Sequence, residues 1–71
     1  MMNIRITARY FNIDAHRDNP EYATLLEAWR DGYAGRCGEW VHQLDDPCLA
    51  DTAYTAYENG QWERAVDACA P

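Results

Sequence analysis

Three cysteines and a histidine are the residues whose chemistry most needs explaining. Cys37, His42, Cys48 and Cys69 follow the spacing C-x4-H-x5-C-x20-C. Thiolate and imidazole groups bind zinc, but structural zinc sites usually take their ligands from closer pairs such as CxxC. Three thiols also cannot all pair within one chain. The spacing therefore favours buried, reduced thiols, and we predict no metal and no cofactor.

Nucleophilic catalysis finds equally little support. Cys37 and His42 lie five residues apart, so on a helix their side chains would point about 140° away from each other. The chain contains no serine, which excludes a serine nucleophile. The many carboxylates have the pattern of a solvated surface and not that of a tuned acid–base pair. We predict a protein without enzymatic activity.

The charge of the chain is acidic and unevenly distributed. Twelve Asp and Glu residues and six Arg residues give a formal net charge of −6. Residues 1–17 carry three arginines and one aspartate, a net charge of +2, whereas residues 18–71 carry eleven acids and three arginines, a net charge of −8. Such a field repels phosphate backbones and attracts basic surfaces. The predicted partner is a basic protein or nucleoprotein complex, with no direct nucleic-acid contact. The alternative, that the acids serve solubility only, stays open.

The first element of the chain is predicted to be a β-strand. Apolar and polar residues alternate in NIRITARYFNID, and β-branched and aromatic residues are frequent there, which predicts a strand over residues 3–11. No second strand follows, so its backbone groups need a partner in a homodimer or in the sheet of a target. Ile4, Ile6 and Phe11 are therefore predicted at a dimer interface.

A long helix is predicted next, over residues 20–44. Large apolar residues keep a helical phase across Gly32, Gly35 and Gly38, which favours one continuous helix. Ala28, Gly32 and Gly35 would then form a groove that another backbone can approach closely, a second candidate for the dimer interface. The alternative is that Gly32 caps a shorter helix, which a kinked second helix follows.

The C-terminal part predicts a helical hairpin. Asp46-Pro47 is a helix-start signal and Asn59-Gly60 a helix-stop signal, which predicts helices over residues 47–59 and 61–70. The predicted fold is thus mostly α with one N-terminal β-strand, in a single domain over residues 1–71. The chain has neither a long apolar run nor a basic-then-apolar leader, so we predict a cytoplasmic protein without membrane contact.

Two resemblances add to this interpretation. The stretch RDGYAGRCGEW followed by DPCLADTAYTAYENGQWERA resembles the ribosome modulation factor group over residues 28–67. The matching residues are Gly32, Tyr33, Gly35, Pro47, Tyr57, Gly60 and Trp62. This resemblance implies a ribosome-associated modulator. Separately, AYENGQWERAV is similar to the interhelical turn of a tetratricopeptide repeat, which implies a helical hairpin.

The function predicted from these features is that of an inhibitor or modulator. Small acidic proteins of phages and mobile elements, such as anti-CRISPR and other anti-defence proteins, block nucleic-acid-binding machinery, in some cases as DNA mimics; this assignment is an analogy. The alternative is the ribosome-associated modulator. A negative patch on the C-terminal hairpin is the predicted protein-binding site, formed by Asp45, Asp51, Tyr54, Glu58, Trp62, Glu63 and Asp67.

Overall fold

The computed structural model describes residues 8–69, which fold into two packed α-helices. Helix α1 spans Tyr22–Ala34 and helix α2 spans Pro47–Cys69. Three short 3-10 helices complete the fold: Ala8–Tyr10, Ile13–His16 and Glu39–Gln43. The prediction of a mostly α-helical chain is confirmed.

The predicted N-terminal strand is wrong for the part of it that lies within residues 8–69. Ala8–Tyr10 forms a 3-10 helix, and the amide of Phe11 donates to the carbonyl of Ala8 at 3.3 Å. No strand occurs in this part of the chain to supply ladder partners, so local hydrogen bonds satisfy the backbone instead. Residues 3–7 of the predicted strand lie outside the described residues.

Helix α1 is shorter than predicted, because Gly35 ends it. Gly35 has φ 73°, a left-handed conformation that glycine adopts without strain. Its amide donates to the Gly32 carbonyl at 3.1 Å, and the Arg36 amide donates to the Asp31 carbonyl at 2.8 Å. These two bonds form a Schellman motif. Apolar residues continue at helical spacing after Gly35 because the connection folds back onto the same core, where Val41 is fully buried.

Helix α2 is one continuous helix, so the predicted break at Asn59-Gly60 is also wrong. Its start is as predicted, since Asp46 Oδ1 accepts hydrogen bonds from the amides of Cys48 at 2.9 Å and Leu49 at 3.4 Å. Gly60 does not end the helix because it serves the crossing with α1. A Cβ at Gly60 would overlap the Trp29 carbonyl, and one at Gly32 would overlap the Tyr57 carbonyl. The two backbones therefore touch directly at this crossing.

The two helices run in the same direction. Asn19 and Glu21, just before α1, line one surface pocket together with Asp46 and Cys48 at the start of α2. At the other end, the Tyr33 hydroxyl donates to Asp67. The connection between the helices consequently has to return along the length of α1. On its way, the Trp40 indole donates to Asp31 at 2.9 Å, which fixes the connection to α1.

One buried polar side chain joins the separate parts of the fold. Asn59 on α2 is only 2% exposed. Its Oδ1 accepts a hydrogen bond from the Trp29 indole on α1 at 2.8 Å, and its Nδ2 donates to the Ala8 carbonyl. The core around it is thin, because half of its buried apolar residues are alanines. These residues are Phe11, Leu25, Ala28, Val41, Ala53 and Ala56. Asn59 thus links both helices and the N-terminal segment.

Candidate functional site

Four of the seven predicted binding residues lie on one face of α2. Asp51, Tyr54, Glu58 and Trp62 follow one another in steps of three, four and four residues, so they lie along one line of a helix. All four are exposed. The buried residues of α2 occupy the opposite side of the helix, against α1. The prediction that these residues form one patch therefore has a consistent geometry.

The other three predicted residues lie elsewhere. Glu63 is half-buried, on the side of α2 that faces α1. Asp67 is exposed but accepts a hydrogen bond from Tyr33 at the end of α1. Asp45 is exposed in the connection, before α2 begins. These acids add to the overall field but do not extend the patch.

Apolar residues continue the same face towards the end of α2. Ala65, Val66 and Cys69 are exposed and follow Trp62 at helical spacing. The sequence places these residues in the predicted separate helix over residues 61–70, whereas in the structure they lie at the end of α2. In the continuous helix they face solvent. We name this face the outer stripe, and its residues are Asp51, Tyr54, Glu58, Trp62, Ala65, Val66 and Cys69.

The outer stripe carries two carboxylates and no basic residue. The ion pairs found within residues 8–69 lie away from it: Arg17–Asp14 at 3.4 Å and Arg36–Asp31 at 3.1 Å. Arg64, the basic residue of α2, lies over the Tyr33 ring with its guanidinium carbon 5.7 Å from the ring centroid. The negative charge of Asp51 and Glu58 is thus not balanced by a cation on this face.

The cysteines are placed differently from the prediction. Cys37, Cys48 and Cys69 are all exposed, so the prediction of buried thiols is wrong. They lie on the connection and near the two ends of α2, where the thin core does not extend. Among residues 8–69, no group of three or more His, Cys, Asp or Glu side chains could hold a metal ion. His42 is exposed, and its ring lies 4.8 Å from that of Tyr54.

Three of the six predicted dimer-interface residues are buried within the chain. Ala28 and Gly32 are buried against α2, because the groove that they form receives the α2 backbone. Phe11 is buried and stacks on the His16 ring at 4.9 Å. Gly35 is exposed as the cap of α1, and Ile4 and Ile6 lie outside the described residues. An interface through Ala28, Gly32 or Phe11 is therefore incompatible with this fold, while a homodimer as such stays a prediction.

Comparisons with known proteins give no relative. No protein-family model matches the chain, and no curated protein or solved structure matches it significantly. Neither helix combines the length and the apolar character that a bilayer-spanning helix needs, as judged on residues 8–69. The candidate site consequently has to be interpreted from its own geometry and charge.

A pH-dependent contact joins the C-terminal ends of the two helices. The hydrogen bond from the Tyr33 hydroxyl to Asp67 raises the pKa of the phenol above its ordinary 10.0, and burial adds to this shift. Because the pKa is higher in the folded chain, the contact stabilises the fold below the ordinary pKa. This contribution is lost as the pH rises through the raised pKa.

We expect the absorbance titration of Tyr33 at high pH to have a midpoint above that ordinary value. The difference between the parent and Tyr33→Phe isolates this phenol from the other tyrosines. The same difference in an Asp67→Asn background should have a lower midpoint, because the amide removes the carboxylate acceptor. Equal midpoints in both backgrounds would show that the Asp67 carboxylate does not raise the pKa of the Tyr33 phenol.

Proposed function

We propose that this chain is a small, acidic, non-enzymatic protein that binds a basic surface of a nucleic-acid-binding protein and inhibits or modulates it. The observation that carries the proposal is the composition of the outer stripe. Asp51 and Glu58 lie there next to Tyr54, which is 37% exposed, and Trp62, which is 41% exposed. This surface offers carboxylates and aromatic rings side by side, without an intervening cation.

Arginine side chains suit such a surface. A guanidinium group stacks on aromatic faces and donates paired hydrogen bonds to carboxylates. A groove that grips nucleic acid is lined with the same side chains, because they contact phosphates. The outer stripe would compete for them. Occupation of such a groove is how an acidic protein of this size would act as an inhibitor of the phage or mobile-element type, such as an anti-CRISPR protein.

The overall charge supports a protein partner over a nucleic acid. Residues 8–69 carry twelve acidic residues and five arginines. Binding a phosphate backbone would bring like charges together, whereas a basic partner would be attracted over long range. We further expect the chain to act in the cytoplasm, where such basic machinery works.

A second candidate function is the ribosome-associated modulator. Three residues that carry the resemblance to ribosome modulation factor, Gly32, Tyr57 and Gly60, meet at the helix crossing. Their positions favour a likeness in helix packing, while the charge differs from that of an RNA-binding protein. On this alternative, the chain would contact the ribosome through basic ribosomal proteins.

Capture from a lysate with an affinity-tagged chain tests the proposal. We expect mass spectrometry to identify one basic nucleic-acid-binding protein or complex, retained at low salt and released at about 0.5 M salt, where the Debye length falls to a few ångströms. Retention of many ribosomal proteins would instead favour the alternative. Retained proteins that are acidic, or whose retention is independent of salt, would contradict both.

Charge reversal on the outer stripe should slow association with the captured partner. For Asp51→Arg we expect the on-rate to fall roughly fivefold or more at low salt, with a smaller change in the off-rate, because surface charges act mainly on encounter. Glu27→Arg, an equal reversal at an exposed position of α1, is the matched control. Equal on-rates for the two variants would place the binding surface elsewhere.

A further inference from the structure

We infer that the outer stripe is the docking surface for one amphipathic helix of a partner protein, with arginine or lysine at one end and apolar side chains at the other. This inference rests on the proposed function and names the shape of its partner. The stripe runs from Asp51 to Cys69, which at 1.5 Å per residue is about 27 Å of helix. A partner helix of about five turns would cover it.

The stripe divides into two halves with different chemistry. The first half contains Asp51, Tyr54 and Glu58, two carboxylates around an aromatic ring. The second half contains Trp62, Val66 and Cys69, and no charged residue of α2 lies between them on this face. Trp62 is 41% exposed and Val66 is 42% exposed. Cations complement the first half, and apolar side chains complement the second.

The apolar half is not needed for the core of this chain. Helix α1 ends at Ala34, and its last turn contacts α2 through Tyr33 and Asp67, on the side away from the stripe. From Gln61 to Cys69 every residue except Glu63 is exposed. The segment Ala8–Tyr10 packs on α2 next to this half, through the hydrogen bond from Asn59 to the Ala8 carbonyl, and it leaves Trp62 and Val66 exposed. An apolar row on an otherwise solvated helix end is typical of a protein-interaction surface.

The stripe fits a helix better than an extended peptide. The α2 backbone is already hydrogen-bonded within its own helix, so it offers no edge to which a strand could be added. A straight row at steps of three and four residues forms the ridge that packs into the groove of another helix. Recognition would then depend on partner side chains at the same spacing.

A second copy of this chain fits the stripe poorly. In a parallel pair, Asp51 and Glu58 would face their own counterparts, and like charges repel. In an antiparallel pair, the carboxylates of each copy would lie on the apolar half of the other. Burying carboxylates without a partner is costly. The charge pattern therefore selects a different, basic helix.

Designed peptides test this inference with a defined probe. The first is a fluorescein-labelled helical peptide of about 18 residues, with arginines at one end and leucines at the other, all on one face. It is made in two versions, one with the arginines at the N-terminus and one with them at the C-terminus. The second has the same composition, with arginines and leucines on opposite faces. We expect one of the two versions of the first peptide to bind at least about tenfold more tightly than the second peptide, as measured by fluorescence anisotropy.

Protein variants locate the binding surface. Trp62→Gln and Glu58→Gln should each weaken the first peptide by about tenfold, as expected for central contacts. Ala68→Gln, at an exposed α2 position off the stripe, and Glu27→Gln on α1 should bind as the parent does. Equal binding of both peptides, unaffected by Trp62→Gln, would overturn the inference but leave the proposal of a basic partner standing. Sedimentation showing a dimer that Val66→Gln dissociates would also overturn it, since a second copy would then occupy the stripe.

Discussion

Gly60→Ala is expected to leave most of the chain unfolded at room temperature. The new methyl group would overlap the Trp29 carbonyl and press on the Tyr33 amide. Both are backbone atoms, so relief requires the helices to separate along the crossing. Overpacking in a core typically costs about 1–3 kcal/mol, and at this crossing, where only backbone atoms could give way, we expect a loss of more than about 3 kcal/mol. A chain of this size has about 3–5 kcal/mol of stability in total, so this loss is close to the whole.

The sign of this effect separates it from helix propensity. In an ordinary helix, replacing glycine by alanine stabilises by about 1 kcal/mol. Urea unfolding followed by circular dichroism would measure both outcomes. Gly35→Ala is the control, since its Cβ meets no atom within 4 Å. It should cost about 1–2 kcal/mol, through the left-handed backbone alone. If Gly60→Ala is as stable as the parent, the helices do not touch at this crossing.

Asn59→Ala should produce the second largest loss of stability, about 3 kcal/mol. The change leaves the Trp29 indole N–H and the Ala8 carbonyl without the partners that they have in the fold. A buried group left unsatisfied costs about 1–3 kcal/mol, and since both hydrogen bonds are only partly buried, we expect each to contribute a value in the lower half of this range. Gln61→Ala removes an exposed amide from the neighbouring position and should change stability by less than about 0.5 kcal/mol.

A double-mutant cycle would show that the loss comes from the hydrogen bond. Trp29→Phe removes the indole N–H but keeps an aromatic ring in the core. If Trp29 and Asn59 interact as described, the two substitutions together should cost less than the sum of their separate effects. Additive effects would mean that the hydrogen bond between Trp29 and Asn59 contributes nothing, which would leave the bond from Asn59 to the Ala8 carbonyl as the source of the loss.

The sequence was sufficient to predict a mostly α-helical fold and the start of α2, but it did not show what its glycines do. The Asp46-Pro47 signal depends on neighbouring backbone amides, so it could be recognised locally. Gly35 and Gly60 could not be told apart in this way. Gly35 has a left-handed backbone that ends a helix, whereas Gly60 makes room for the backbone of a second helix at Trp29 and Tyr33, far away in sequence. Only the tertiary contact separates these two uses of the same residue.

The candidate site was also only partly predictable, because its exposure depends on tertiary contacts. Asp51, Tyr54 and Glu58 could be placed on one face by spacing alone, because a single helix carries them all. Trp62 was predicted in the binding patch, but the exposure of Val66 was not, since periodicity shows which residues share a face but not which face is covered. The return of the connection along α2 decides that question, and it brings Val41 into the core on the other side.

The parallel arrangement of the helices has a consequence for how the chain reaches its fold. Most small helical proteins fold fast because their contacts are local in sequence. Here the crossing joins Gly32 to Tyr57, and Asn59 reaches back to Ala8 across 51 residues. A large loop must close before either contact forms, and its entropic cost precedes any gain. We therefore expect this chain to fold more slowly than an antiparallel helical hairpin of equal length.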